Sequence, residues 1–121
     1  MNLLKFYCYP KCSTCKAAKK WLDQEGISHQ ALHIVDECPT VEEIGQLHQL
    51  SGLPIQKFFN TSGIKYRELG LKDIVRSAPD EELIQLLATD GMLLKRPLVT
   101  DGEKVTIGFN VERFADVWGR K

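Results

Sequence analysis

The sequence has no surplus of charge of either sign and no long apolar run. Lys plus Arg and Asp plus Glu each number 16 in 121 residues, giving a formal net charge of zero and a pI near 6.8. Such a chain lacks the bulk field that draws a protein to nucleic acid, so direct nucleic-acid binding is not expected, although a local basic patch remains compatible with the balance. Its apolar runs are a few residues long, against the ~20 that a membrane-crossing helix needs. No membrane span is expected. The start, Met1-Asn2-Leu3-Leu4-Lys5-Phe6, shows no export signal, and a cytoplasmic location is the default expectation. No repeat, low-complexity stretch or Pro/Gly/Ser-rich linker divides the chain, so one domain is expected over 1–121. Cysteines are few, four in all, but three of them (Cys8, Cys12 and Cys15) crowd into eight positions while Cys38 stands apart. In a reducing compartment that crowding suggests redox chemistry or a metal rather than a disulfide scaffold.

The 43% hydrophobic content is enough for a core. Residues 2–7 form a short apolar run that fits a buried strand. Tyr9-Pro10-Lys11 breaks it, and Ser13 to Gln24 turns helical, with Cys15, Ala18 and Leu22 on one face and Gly26 as the stop. A second strand is expected over 29–35. Thr40-Val41-Glu42-Glu43 is a capping-box sequence; the helix it opens should bury Val41, Ile44 and Leu47 and end at Gly52-Leu53-Pro54. Residues 55–78 read as short helical pieces and loops anchored by Phe58-Phe59 and Leu69–Leu71. Pro79-Asp80-Glu81-Glu82 opens a further helix with acids at its positive end, running to Gly91. Leu98–Thr100 and Lys104–Ile107 flank Asp101-Gly102, a hairpin signal, and a closing helix is expected over 111–118. The order of strand, helix, strand, helices, hairpin and helix predicts an α/β sandwich around a mixed sheet.

Cys12-Ser13-Thr14-Cys15 falls where the first strand gives way to the first helix. A cysteine there faces unpaired backbone N–H groups and the positive end of the helix dipole, which favour thiolate over thiol. Lys11 and Lys16 add charge that solvent largely screens. Cys12 is therefore the candidate nucleophile. Cys15, one turn on and on the same side, meets the roughly 4.4–6.8 Å Cα separation that a disulfide needs and is the candidate resolving thiol. Cys8 and Cys38 read as buried small hydrophobes. A zinc site would need Cys8, Cys38 or His33 to complete one CxxC pair without the usual paired spacing, so no metal is expected.

Pro97 directly precedes a predicted strand. Either it is a trans proline opening that strand, or a cis Arg96–Pro97 peptide sets backbone groups beside the thiol. Arg96 reads as a surface residue or as a guanidinium for an oxyanion or thiolate. His29, His33 and His48 form no set and receive no catalytic role.

The blocks Tyr9-Pro10-Lys11-Cys12-Ser13-Thr14-Cys15-Lys16, Tyr66–Leu71 and Lys95-Arg96-Pro97-Leu98-Val99 resemble the ArsC/Spx family, in the right order and over about residues 2–118. The resemblance implies a thioredoxin-like fold with a helical insertion between the second strand and the C-terminal hairpin. It implies that Cys12 matches the family's catalytic cysteine, and that Arg96-Pro97 matches an Arg–cis-Pro element facing it. With Cys15 as resolving thiol, the implied activity is an arsenate-reductase-family thiol–disulfide oxidoreductase; Lys11, Ser13, Thr14, Pro97 and Asn60 are its substrate-binding candidates. No cofactor is expected to be bound; glutathione, glutaredoxin or thioredoxin is the implied external reductant.

This chain departs from the pattern at two places. Arsenate reductases of this type are similar to one another in two further arginines that clamp the oxyanion, and here those positions hold Asn60 and Gly108. One arginine in place of three removes most of the charge-assisted hydrogen bonding such an anion requires. The CxxC itself resembles Spx, whose cysteine pair is a redox switch on a regulator that binds RNA polymerase, although this sequence lacks the longer basic tail typical of Spx. The alternative implied function is therefore a redox-sensing, polymerase-binding regulator.

Overall fold

The computed structural model describes residues 3–119. The element order is β1 (Leu4–Cys8), α1 (Ser13–Gln24), β2 (His29–His33), α2 (Val41–Ser51), α3 (Ile64–Glu68), α4 (Leu71–Ser77), α5 (Asp80–Thr89), β3 (Leu98–Thr100), β4 (Val105–Ile107) and α6 (Val111–Trp118), with short 3-10 turns at Ile55–Phe58 and Gly91–Leu93. The strand expected over 2–7 begins and ends later, and residue 2 lies outside the described residues. The chain divides into two compact units. One runs through His33 and resumes at Arg96, and the other is Ile34–Lys95.

The first unit holds the whole sheet, in the order β2-β1-β3-β4. β1 runs parallel to β2, with Phe6 opposite Ala31, and antiparallel to β3, with Phe6 opposite Val99; β4 pairs antiparallel with β3. Alternation along β1 sends Leu4, Phe6 and Cys8 to one face. On that face Leu4, Phe6 and Val99 pack with Ala18 and Leu22 of α1 and with Phe114 and Trp118 of α6, and Trp21, Ile27, Phe109 and Val117 close the margin. Phe114 is met edge-on by Phe109 (centroids 4.8 Å apart) and Trp21 (5.5 Å), a favoured aromatic geometry. A parallel pair joined by a crossover helix, continued by an antiparallel hairpin and a helix, is the thioredoxin-like arrangement. The helical segment between β2 and β3 is the insertion the resemblance implies.

Local chemistry fixes the helix ends. Helix α1 closes in a Schellman motif: the Gly26 N–H donates to the Asp23 carbonyl at 3.1 Å and the Ile27 N–H to the Leu22 carbonyl at 3.0 Å, with Gly26 at φ 68°. Both halves of the capping box at Thr40 form, each at 3.1 Å, and Gly52 ends α2 at φ 66°. Ile44 and Leu47 are buried, but Val41 is 44% exposed. Successive steps of three residues drift around a helix of period 3.6, so Val41 leaves the stripe that holds Leu47. Leu69 is likewise 52% exposed while Leu71 is buried. Leu69 caps the end of α3 and Leu71 opens α4, so the two do not share a face.

In the second unit the backbone of Gly91 passes so close to Ile34 that a Cβ would run into the Ile34 carbonyl. Helix α5 stops at Thr89, before Gly91. The hairpin loop is longer than two residues: Thr100 pairs with Val105. The Asp101 carboxylate orders that loop by accepting from the N–H groups of Glu103 and Lys104, both at 2.8 Å. Among the described residues no helix is long and apolar enough to cross a membrane.

Candidate active site

Cys12 is the N-cap residue of α1, extended at φ −85° and ψ 120°. The turn through Pro10 and Lys11 is closed by the Cys12 N–H donating to the Tyr9 carbonyl at 2.9 Å, and the Cys12 carbonyl accepts the first helical bond from Lys16 at 3.1 Å. Cys15, a turn later, is 3% exposed. Its Sγ accepts from the Tyr9 N–H at 3.4 Å. The backbone of Tyr9 therefore fixes both members of the pair, one through its carbonyl and one through its amide.

The two thiols differ in acidity. Burial pushes the Cys12 thiol up, but the backbone N–H and thiol of Cys15, the Arg96 guanidinium and the Thr14 N–H together outweigh it, and its pKa falls below the ordinary 9.0. No full cap hydrogen bond to Cys12 Sγ is made; the amides act as converging dipoles at the helix end. Burial dominates at Cys15, and the neighbouring Cys12 charge adds to it, so its pKa is pushed up to about 12. Burial also raises Cys8, with a contribution from Cys12. All four cysteines are free, and Cys8 and Cys38 are half-buried rather than fully buried. Cys38 sits 3.6–3.9 Å from the carbonyls of Pro39, Ala88 and Leu87, which makes it a weak thiol donor in the second unit.

The Arg96–Pro97 peptide is cis, the alternative that the resemblance favours. Pro97 is buried and its carbonyl accepts from the Gly108 N–H at 2.8 Å. Gly108 stands at φ 81°, a conformation that an arginine side chain would occupy only under strain. The Arg96 guanidinium lies over the Tyr9 ring, with Cζ 5.2 Å from its centroid, and the His33 ring meets that same ring edge-on at 5.7 Å.

Of the residues the sequence singled out, Lys11, Ser13 and Thr14 are exposed on the turn and first helical turn beside Cys12. Asn60 belongs to the second unit, where its N–H donates to the Leu93 carbonyl at 2.8 Å and its own carbonyl accepts from Gly63 at 3.0 Å. Sequence reasoning gave Tyr9 no role beyond breaking the strand. An aromatic ring just before a Pro-x-Cys turn, in a chain with one arginine ahead of a proline-led strand, was the available signal. Among the described residues no group of three or more His, Cys, Asp or Glu is arranged to hold a metal ion.

The model of the ArsC family matches residues 7–117, nearly the whole chain. The chain belongs to the ArsC family. This ArsC-family chain is 53% identical to the uncharacterized protein YusI of Bacillus subtilis (strain 168), over 95% of its own length and 98% of YusI. It is 32% identical to the regulatory protein MgsR of the same organism, over 88% of this chain and 83% of MgsR. Among solved structures, a possible arsenate reductase from Streptococcus mutans UA159 is 45% identical at TM-score 0.85, covering 92% of this chain and 94% of that one. ArsC relatives thus carry both regulatory and reductase names on one fold, so the reaction has to be argued from the site.

Proposed function

We propose that the protein is a thiol–disulfide oxidoreductase in which Cys12 is the nucleophile and Cys15 the resolving thiol. The observation that supports this reading is the split between the two sulfurs: a helix-capping thiol made acidic, one turn from a buried thiol made basic. The Cys12 thiolate attacks one sulfur of a substrate disulfide. The old S–S bond breaks, its far half leaves as a thiolate and takes up a proton, and a mixed disulfide forms on Cys12. Cys15 then loses its proton and attacks Cys12 Sγ, releasing the second substrate thiol and leaving a Cys12–Cys15 disulfide. Forming the mixed disulfide removes the Cys12 charge that helped hold the Cys15 proton, so the second step is eased by the first. Two electrons pass to the substrate, and glutathione, glutaredoxin or thioredoxin returns them. This chemistry implies a reducing compartment such as the cytoplasm.

Arg96 and the helix N-terminus stabilise the negative charge that develops on sulfur. An arsenate clamp has less support. It requires several converging cations, and the two positions that would supply them hold Asn60 and a positive-φ Gly108. The test is NADPH-coupled turnover of a small disulfide and of arsenate, each through glutathione/glutaredoxin and through thioredoxin. The reading expects disulfide turnover that Cys12→Ser abolishes; full activity in Cys12→Ser would refute it.

A second reading, a redox-sensing regulator, is favoured by the identity to MgsR. In it the same Cys12–Cys15 pair shifts a protein interface on oxidation. RNA polymerase is the partner implied by the Spx resemblance. Polymerase subunits retained by the reduced or the oxidised protein alone, with no disulfide turnover, would select this reading.

A further inference from the structure

We propose that Tyr9 is a positioning residue for Arg96: the face of its ring holds the guanidinium beside Cys12, while its backbone ties down the Cys12 main chain and the Cys15 sulfur. The proposal rests on the reading of Cys12 as the reacting thiol. Arginine is long and loses rotamer entropy when its head is held in one place. An aromatic face within about 6 Å of a cation supplies attraction through its quadrupole, and Arg96 Cζ stands 5.2 Å from the Tyr9 centroid. A carboxylate would hold the guanidinium more tightly, but its charge would cancel the field at the thiolate. A neutral ring adds no opposing charge of its own. The Tyr9 ring is in turn braced by the edge-on contact with His33, and its main chain is tied to Cys12 at 2.9 Å and to Cys15 Sγ at 3.4 Å. One residue thus sets the nucleophile, its partner thiol and its counter-charge in a common frame.

The charged and titratable groups around this frame include Cys15 of α1, Cys8 of β1, Arg96 ahead of β3 and His33 of β2, with Lys19 acting on Cys8. Lys11 and Lys16 flank Cys12 in sequence and are exposed. Each variant is also scanned in a His33→Gln background, which removes the imidazole that meets the Tyr9 ring.

The experiment follows the rate of iodoacetamide alkylation at Cys12 by peptide mass spectrometry, from about pH 5 to about pH 9. Compared with the wild type are Arg96→Gln, Tyr9→Leu, Tyr9→Phe, and Tyr9→Leu combined with Arg96→Gln. Tyr9→Phe keeps a ring face and should keep the wild-type midpoint. Tyr9→Leu should move the midpoint upward and slow alkylation below it about two- to fivefold, the worth of one exposed cation–π contact. It should add little in the Arg96→Gln background. Pentafluorophenylalanine at position 9 keeps the packing but inverts the ring quadrupole; it should shift the midpoint as leucine does, which a purely structural role would not produce. A midpoint that moves in Arg96→Gln but in neither the leucine nor the fluorinated variant overturns the proposal. So does full additivity of the two changes. Disulfide turnover that survives Cys12→Ser would overturn the functional reading instead, while leaving these midpoints interpretable.

Discussion

Raising the pH on the reduced wild-type protein should expose the cysteines to alkylation in a set order, with Cys12 first. Cys12 lies below the ordinary thiol value of 9.0, whereas Cys15 is pushed to about 12. The two shifts run in opposite directions, so at any pH below both values the Cys12 thiolate outnumbers that of Cys15. Only the thiolate reacts. Cys8 and Cys38 are raised as well, in both cases chiefly by burial, and each should lag behind Cys12. The assay is a short pulse of iodoacetamide at neutral pH, digestion, and quantification of each cysteine-bearing peptide. A single label on Cys12 is expected, with the midpoint of its rate curve below pH 9 and its rate levelling off while the other three keep climbing. Since burial also shields Cys15 sterically, the level portion of the Cys12 curve is the stricter criterion. A Cys12 rate that still rises tenfold per pH unit above pH 9, or a label on Cys8 that matches it, would refute the reasoning.

Two further outcomes follow from the same structure. Phe114→Ala removes the ring that Phe109 and Trp21 meet edge-on in a fully buried position, and should cost about 3–5 kcal/mol in urea unfolding. A loss under about 1 kcal/mol would show that this core does not hold the first unit together. Cys15 keeps its proton longer folded than unfolded, so its contribution to stability is fully present below pH 9 and is lost as pH rises toward 12. The loss is at most about 4 kcal/mol. Cys15→Ala should flatten that part of the stability profile relative to wild type, and an unchanged slope would contradict the raised pKa.

The parts of this structure that were readable in the sequence are those decided within a turn or two of chain. Cys15, Ala18 and Leu22 declare their shared face by spacing alone. Thr40 and Glu43 cap their helix through bonds three residues apart, and Cys12 reveals its exposure to the helix dipole by standing between a broken strand and an amphipathic helix. Residues whose role depends on distant partners were not readable. The Tyr9 ring acquires its role from Arg96 and His33, which reach it only once β2 and the approach to β3 flank β1. Gly91 reads as a helix stop, yet its lack of a side chain serves the close approach to Ile34. Val41 and Leu69 have the right chemistry for a core but sit a fraction of a turn away from it. The division of contacts at His33 and Arg96 has no sequence mark, because neither junction carries a linker.

The most direct test of the account is to capture the intermediate. Cys15→Ser removes the resolving thiol, so reaction of that variant with a disulfide substrate should stop at a mixed disulfide, located by mass spectrometry on Cys12 and released by added dithiothreitol. Wild-type protein treated alike should carry no adduct and should hold a Cys12–Cys15 bond. An adduct on Cys8 or Cys38, or none on Cys12 in the variant, would contradict the assignment of Cys12 as nucleophile and Cys15 as its partner.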